Sequence, residues 1–340
     1  MKKIIYLTIL FPFMLSAQQA DVTVSKAINR IAFGSCSKQD WQDNQLWAEV
    51  NATNPDLWIW LGDNIYADTE DMSVMKSMYA LQKSHPDYQQ LLSRTEVIGT
   101  WDDHDYGAND AGKEYPMKAE SKEELFTFLD VDKNHPARKR EGVYQSYTYK
   151  SESGNLKVIL LDVRYFRDSL KWSNYNTPAK ASMVNPTGDI LGEAQWKWLE
   201  EQLTEEGIDL FLIASGIQVI PSAHVWEKWS NFPQARTKLF EVLKTAQAPT
   251  VLLTGDRHIS EVSKYDLPGH PFPLYEFTSS SLNAAYPPKP DQNEYRVGKV
   301  IHQQNFAAMM IMWIANKPII QLKYYTKGSK ELASHQIQFD

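Results

Sequence analysis

"DLWIWLGDNIY", residues 56–66, joins an unbroken apolar run to a group of polar side chains. Leu57 to Leu61 do not alternate with polar residues, so the run reads as a β-strand buried on both faces, as in a sheet covered by other layers on each side. Gly62, Asp63, Asn64 and Tyr66 follow at once. The end of this strand therefore delivers a carboxylate, an amide and a phenol.

The same arrangement recurs along the chain. Strand-length apolar runs occur at "RIAF" (30–33), "EVIGT" (96–100), "KVILLDV" (157–163), "DLFLIAS" (209–215) and "TVLLTG" (250–255). Helical patterns lie between them, the clearest being "LGEAQWKWLEEQL" (191–203), whose spacing puts Leu191, Ala194, Trp198, Leu199 and Leu203 on one face. Strands alternating with helices predict an α/β layered fold. Near the C-terminus, "AAMMIMWIANKPIIQLKYYT" (307–326) reads as two strands joined at Asn316-Lys317-Pro318, so mixed sheets are expected. No repeat or Gly/Ser linker divides the chain, which reads as one catalytic domain over residues 20–340. The segments 171–189 and 286–295 read as long surface loops of the kind that border sites.

A chain of 340 residues with 43% hydrophobic composition has enough apolar surface for a sizeable core. Its formal charge of −7 argues against a non-specific binder of nucleic acid. Residues 1–19, with Lys2, Lys3, an apolar run from Ile4 to Leu15 and small residues at Ser16 and Ala17, have the layout of a secretory signal peptide. That run and "FAAMMIMWIA" (306–315) are both too short for a transmembrane helix. With no cysteine after the leader to take a lipid, the expected product is a secreted or periplasmic protein. Cys36 is the single cysteine, so no intramolecular disulfide is available and its thiol needs another explanation, burial or metal ligation.

The polar residues after the apolar runs form a pattern. Cys36 follows "RIAF"; Asp63, Asn64 and Tyr66 follow "LWIWL"; "WDDHDYG" (101–107) follows "EVIGT"; Asp256 and His258 follow "TVLLT". Ligands in α/β sheets bind outside the carboxyl ends of the strands, and four such ends here carry metal-ligand or acid-base side chains. Each motif alone has a plain explanation: a solvated acidic turn, a hydrogen-bonded histidine, a small buried thiol, a rim tyrosine. Together, one thiolate, several carboxylates, a phenol and two imidazoles are enough to hold more than one cation, with Asp63 the natural bridge. Two cations a few ångströms apart neutralise phosphoryl oxygens and activate hydroxide for attack on a phosphate ester. The carboxylates of "WDDHD" would then hold a cation while His104 stays free to face the leaving group.

The series "GSCS…LGDNIYAD…WDDHDYG…LDVRYFR…LGEAQWKWLEEQL…LLTGDRHISE" resembles the alkaline phosphatase D (PhoD-like) metallophosphatases, distant relatives of the purple acid phosphatases, from about residue 30 to about residue 265. The resemblance implies a four-layer α/β/β/α sandwich with mixed sheets, one ferric ion (Fe3+) and one or two calcium ions (Ca2+), and hydrolysis of phosphate monoesters or diesters. It implies that Asp63 bridges the metals, that Cys36, Tyr66 and His258 complete the iron side, and that Asp103 and Asp256 serve calcium. Thiolate, phenolate and imidazole donors for iron and carboxylate oxygens for calcium agree with that division. Asn64, His104 and Arg164 of "LDVRYFR" would face the phosphate, Arg164 through a bidentate contact, its alternative being a surface salt bridge. Two departures stand out: the Asp-x-His opening of wider metallophosphatases is absent, and no N-terminal β-domain precedes "RIAFGSC". "PSAHVWEKWSNFPQARTKLF" (221–240) also resembles the family, with no chemical role for His224.

Two other functions compete with the phosphoesterase. Cys36 could be a nucleophile with His104 or His258 as base, or the chain could bind a metal-dependent ligand without turnover.

Overall fold

A computed structural model describes residues 21–171, 184–288 and 292–339. The leader at residues 1–19 lies outside the described residues, as does most of the loop expected at 171–189 and the centre of the one at 286–295.

Fourteen strands are present among the described residues: β1 Val22–Val24, β2 Arg30–Gly34, β3 Leu57–Leu61, β4 Glu96–Thr100, β5 Gln145–Tyr149, β6 Leu156–Leu160, β7 Leu210–Ser215, β8 Thr250–Thr254, β9 Ser260–Tyr265, β10 Leu274–Ser279, β11 Arg296–Ile301, β12 Phe306–Ile314, β13 Lys317–Thr326 and β14 Lys330–Gln338. They form two mixed sheets, one in the order β1-β5-β6-β7-β8-β10-β9-β11 and the other in the order β14-β13-β12-β2-β3-β4. The helices are α1 Trp47–Ala52, α2 Met72–Lys83, α3 Pro86–Leu92, α4 Asp103–Tyr106, α5 Lys118–Phe128, α6 Gly192–Leu203 and α7 Pro233–Leu243.

The β3 sequence explains the layering. Alternate side chains of a strand point to opposite faces, so Leu57, Ile59 and Leu61 enter a core shared with Val158, Leu160, Leu212, Val251 and Leu253 of the facing sheet. Trp58 and Trp60 point the other way, against Trp47 of α1, Met75 and Tyr79 of α2 and Tyr88 of α3. On the far side, Phe211, Ile213 and Leu252 pack under Trp196 and Leu199 of α6 and Leu239 and Leu243 of α7. Both faces of each sheet are therefore covered at β3, β7 and β8, which is why these runs are apolar without a break. The result is the α/β/β/α sandwich, with mixed pairing: β2, β3 and β4 are parallel, while β12 to β14 are antiparallel.

Two local expectations are corrected. Ala194 faces solvent, and Gln195 and Trp196 are buried in its place. The Gln195 amide is satisfied by the backbone N–H and carbonyl of Asp162 and by the Leu191 carbonyl, so a polar residue occupies the inner face at little loss. The C-terminal hairpin turns at Ala315-Asn316, both with positive φ (49° and 63°), and Lys317 and Pro318 already belong to β13. Its first strand, β12, takes up residues 306–314 of the apolar run over 306–315. No helix among the described residues is long and apolar enough to cross a membrane.

Candidate metal centre

The parallel strands β2, β3 and β4 of one sheet and β8 of the other all end at the same edge of the sandwich. The site lies where the two sheets meet there, so its residues come from both sheets.

Cys36 follows β2 and is fully buried, its Sγ 3.4 Å from Asp63 Oδ2 and 3.4 Å from Ser280 Oγ. Tyr66 Oη lies 3.3 Å from Asp63 Oδ2 and 3.3 Å from His258 Nε2. Nδ1 of His258 points at the Ala284 carbonyl, which only accepts, so this nitrogen carries the proton and Nε2 turns its lone pair toward Asp63 and Cys36. Burial lowers the His258 pKa to about 4, which keeps the ring neutral. Tyr286 stacks on it with centroids 3.9 Å apart.

A second group shares Asp63. Donor atoms of Asp63, Asp103 and His104 lie within 4.8 Å of one another, as do those of Cys36, Asp63 and His258. Asp63 is the one residue common to both. His104, expected to stay clear of the cations, thus offers a ring nitrogen to the second group, while Asp256 lines the same pocket without joining either. The pocket holds about 80 Å³ and is also lined by Asp110, Trp226, Glu227, Arg257 and Tyr286.

The charges in this pocket are poorly compensated by the protein. Burial, then the neighbouring Asp63 carboxylate, pushes the Cys36 thiol and the Tyr66 phenol well above their ordinary pKa values. Burial and Asp103 push Asp63 up and bring Asp256 to about 8. Asp103 is the exception: burial opposes its ionisation, but Arg164 and His104 outweigh that and leave it at about 2. Asp63 Oδ1 and Asn64 Oδ1 are buried with no hydrogen-bond partner among the described residues. Such orphaned acceptors beside a buried thiol, phenol and imidazole are the donor set that a pair of cations would satisfy.

Backbone conformation aims these donors. Cys36, Asp63, Asp256 and His258 all adopt positive φ, between 49° and 67°, which costs a non-glycine residue about 1 kcal/mol or more. Gly62 precedes Asp63 at φ 98°, and a Cβ there would fall 2.5 Å from Asp102 Cβ, so only glycine fits. Asp105 fastens the turn: its carboxylate accepts from the backbone N–H groups of Asp102, Asp63 and Asn64 at 2.8, 3.1 and 3.3 Å.

The three residues expected to face phosphate are placed differently from one another. His104 Nδ1 lies 2.7 Å from an Asp68 carboxylate oxygen, which fixes the ring and leaves Nε2 for the pocket. Burial would lower its pKa, but the Asp68 bond raises it to about 9. Asn64 is buried with its amide N–H on the Thr100 carbonyl at 3.0 Å. Arg164 is fully buried and divides its guanidinium between two carboxylates of the protein, Nε to Asp102 Oδ1 at 2.7 Å and Nη1 to Glu227 Oε2 at 2.7 Å, with Arg167 on the other Glu227 oxygen at 3.1 Å. Neither a surface salt bridge nor an open guanidinium describes it.

Sequence reasoning passed over Asp68, Asp105 and Arg257, although each stands inside a quoted motif, "GDNIYAD", "WDDHD" and "GDRH". Ser280, the Ala284 carbonyl and Glu227 carried no local signal, because only the fold brings them to the pocket.

The architecture and the site at the sheet edge together define a metallophosphatase-type sandwich. Solved structures of that kind superpose on the chain: a structure of PhoD (TM-score 0.65, 17% identity, covering 93% of this chain and 73% of that one) and a purple acid phosphatase from yellow lupin seeds (TM-score 0.59, 12% identity, covering 92% and 54%). A dimetal phosphatase from Danio rerio also matches, at TM-score 0.58 and 12% identity, over 93% of this chain and 100% of its own. Residues 31–337 match the PhoD-like phosphatase family, and the chain belongs to that family. Alkaline phosphatase D of Bacillus subtilis (strain 168) is 23% identical over 75% of this chain and 49% of its own length, so the chain spans about half of that relative.

Proposed function

We propose that this chain is an exported, metal-dependent phosphoesterase that hydrolyses phosphate monoesters, diesters or both. The observation that carries the reading is the pair of donor groups joined by Asp63 at the floor of one pocket. Cys36, Asp63, Tyr66 and His258 would hold a ferric ion, and Asp63 with Asp103 and Asp256 would hold calcium. Bound there, the cations would neutralise phosphoryl charge and lower the pKa of water. The protein's part is to keep His258 neutral through the Ala284 carbonyl, to hold Asp63 on the turn fastened by Asp105, and to present His104 Nε2 to the leaving oxygen while Asp68 holds Nδ1. A proton donated from Nε2 would leave the product as an alcohol.

Cys36 as nucleophile is disfavoured by its complete burial and its raised pKa, since the thiolate is the reactive form. Residues 1–19 would act as the export signal, which N-terminal sequencing of the secreted product would check.

The deciding experiment combines metal analysis of the purified protein with paired assays on an aryl phosphate and its diester, before and after chelation. Turnover that disappears with the metal and returns with iron and calcium supports the reading. Turnover indifferent to chelation but abolished by thiol alkylation would replace it with the cysteine mechanism, and metal binding without any turnover would replace it with a binding protein.

A further inference from the structure

A second cavity, of about 360 Å³, adjoins the metal pocket, and Val225, Trp226, Arg257 and Tyr286 line both. That volume is at the lower end for small-molecule sites, the size of a ring system rather than of a long chain. Two of its walls are aromatic. Trp226 and Tyr286 are 37% and 41% exposed, with ring centroids 6.1 Å apart, and Val225 beside them is 38% exposed. Large apolar side chains left open at the mouth of a polar pocket mark a place where a ligand completes the burial.

The third wall is His224. It is only 7% exposed, and neither of its ring nitrogens has a hydrogen-bond partner among the described residues. Burial, aided by the charges of Arg257, Lys228 and Arg296, pushes its pKa far down, so the ring is neutral and offers one donor and one acceptor. Nδ1 of His302, lining the same cavity, is likewise buried without a partner. A buried polar atom without a partner is unfavourable, and a ligand with both donors and acceptors on its edge would satisfy these. An alkyl group would leave the imidazoles unpaired, and a polyol would leave the aromatic walls uncovered. A planar ring with a hydrogen-bonding edge satisfies both.

We propose that this cavity is the subsite for the organic group of the ester and that it takes a nucleobase-like heteroaromatic ring, seated against Trp226 and Tyr286 with its edge toward His224. The segment "PSAHVWEKW" (221–229) thereby gains a role: it carries both the stacking ring and the edge-reading imidazole. The inference rests on the phosphoesterase reading for its phosphate end alone.

The test compares adenosine 5′-phosphate with ribose 5-phosphate on the metal-loaded enzyme, since the two share phosphate and leaving alcohol and differ only in the base. Base stacking of the usual strength predicts a preference for the nucleotide in kcat/KM of about 10-fold or more, expressed mainly in KM. Trp226→Ala and His224→Leu should each bring that ratio down toward one. Adenosine alone, titrated against tryptophan fluorescence, should bind the wild type and bind Trp226→Ala at least about 10-fold more weakly by calorimetry. A ratio near one in the wild type with no adenosine binding overturns the subsite and leaves the phosphoesterase intact. Adenosine binding without hydrolysis of either ester overturns the phosphoesterase and leaves the subsite intact. A ratio unmoved by both substitutions overturns the proposed walls.

Discussion

Replacing Arg164 by methionine separates a phosphate contact from an internal ion pair. The side chain is completely buried and its guanidinium reaches Asp102 through Nε and Nη2 and Glu227 through Nη1. Burial would lower the Arg164 pKa, yet Asp102 and Glu227 hold it well above its ordinary value, so the charge is present and paired. In Arg164→Met, Glu227 keeps Arg167, but Asp102 loses its ion-pair partner and Asp103 loses the cation that does most to lower its pKa. The loss at Asp102 alone, a buried carboxylate without its partner, costs about 3–5 kcal/mol. Asp102 can escape part of that cost by taking up a proton, which raises its folded-state pKa further above the unfolded value. The native variant then binds a proton that the unfolded chain has lost, so its stability falls as pH rises above about 4. Urea unfolding of metal-free protein should therefore show a loss that is larger at pH 8 than at pH 5 and reaches several kcal/mol. A loss below about 1 kcal/mol at pH 8, with kcat/KM reduced at unchanged metal content, would mean that Arg164 acts on substrate and that the ion pair is incidental.

Asp63→Ala is expected to abolish phosphoesterase activity and to lower both iron and calcium content in elemental analysis; full retention of both would remove Asp63 as the bridge. His104→Asn should cut turnover by about 10²–10⁴-fold with metal content largely intact, and loss of metal would make His104 a ligand, as its place beside Asp63 and Asp103 allows. Ferric protein should be coloured through the Cys36 thiolate and Tyr66 phenolate, with a visible band that shifts in Cys36→Ser and in Tyr66→Phe; a colourless active enzyme would contradict the iron assignment. Glu276 accepts backbone N–H bonds from Val219 and Ile220, and burial raises its pKa from 4.5 to about 7. Its folded pKa is the higher one, so its contribution to stability is complete below about pH 4.5 and declines by about 3 kcal/mol through pH 7; thermal melts of Glu276→Gln should lack that decline, and parallel pH profiles would refute the shift.

Much of this architecture was legible in the chain because burial on two faces leaves a mark in sequence. The runs at Leu57–Leu61, Leu210–Ser215 and Thr250–Thr254 are apolar throughout, and each became a strand covered on both sides. Strand ends also placed Cys36, Asp63, Tyr66, Asp103 and His258 together without any structure. What the sequence concealed depends on partners far away in the chain. Arg164 reads like a phosphate-binding arginine until Asp102 and Glu227, 62 and 63 residues distant, are seen to enclose it. Ala194 looks apolar enough for the core, and only the Asp162 backbone explains why Gln195 occupies the inner face. At the hairpin Pro318 suggests a break in the sequence, whereas the positive φ values of Ala315 and Asn316 make the bend.

The left-handed backbone at Cys36, Asp63, Asp256 and His258 has a bearing on how such a site persists. Glycine or asparagine at any of these positions would relax the main chain, and at Asp63 or Asp256 it would also remove a buried like charge. Each such exchange relieves the backbone while taking away a side chain that the proposed centre uses. Selection for heat resistance alone would thus not protect these four side chains, and improvement of this scaffold by thermal screening has to be read out on metal content and turnover as well. The same left-handed turns are what bring side chains from the ends of three strands, in two different sheets, to face one another.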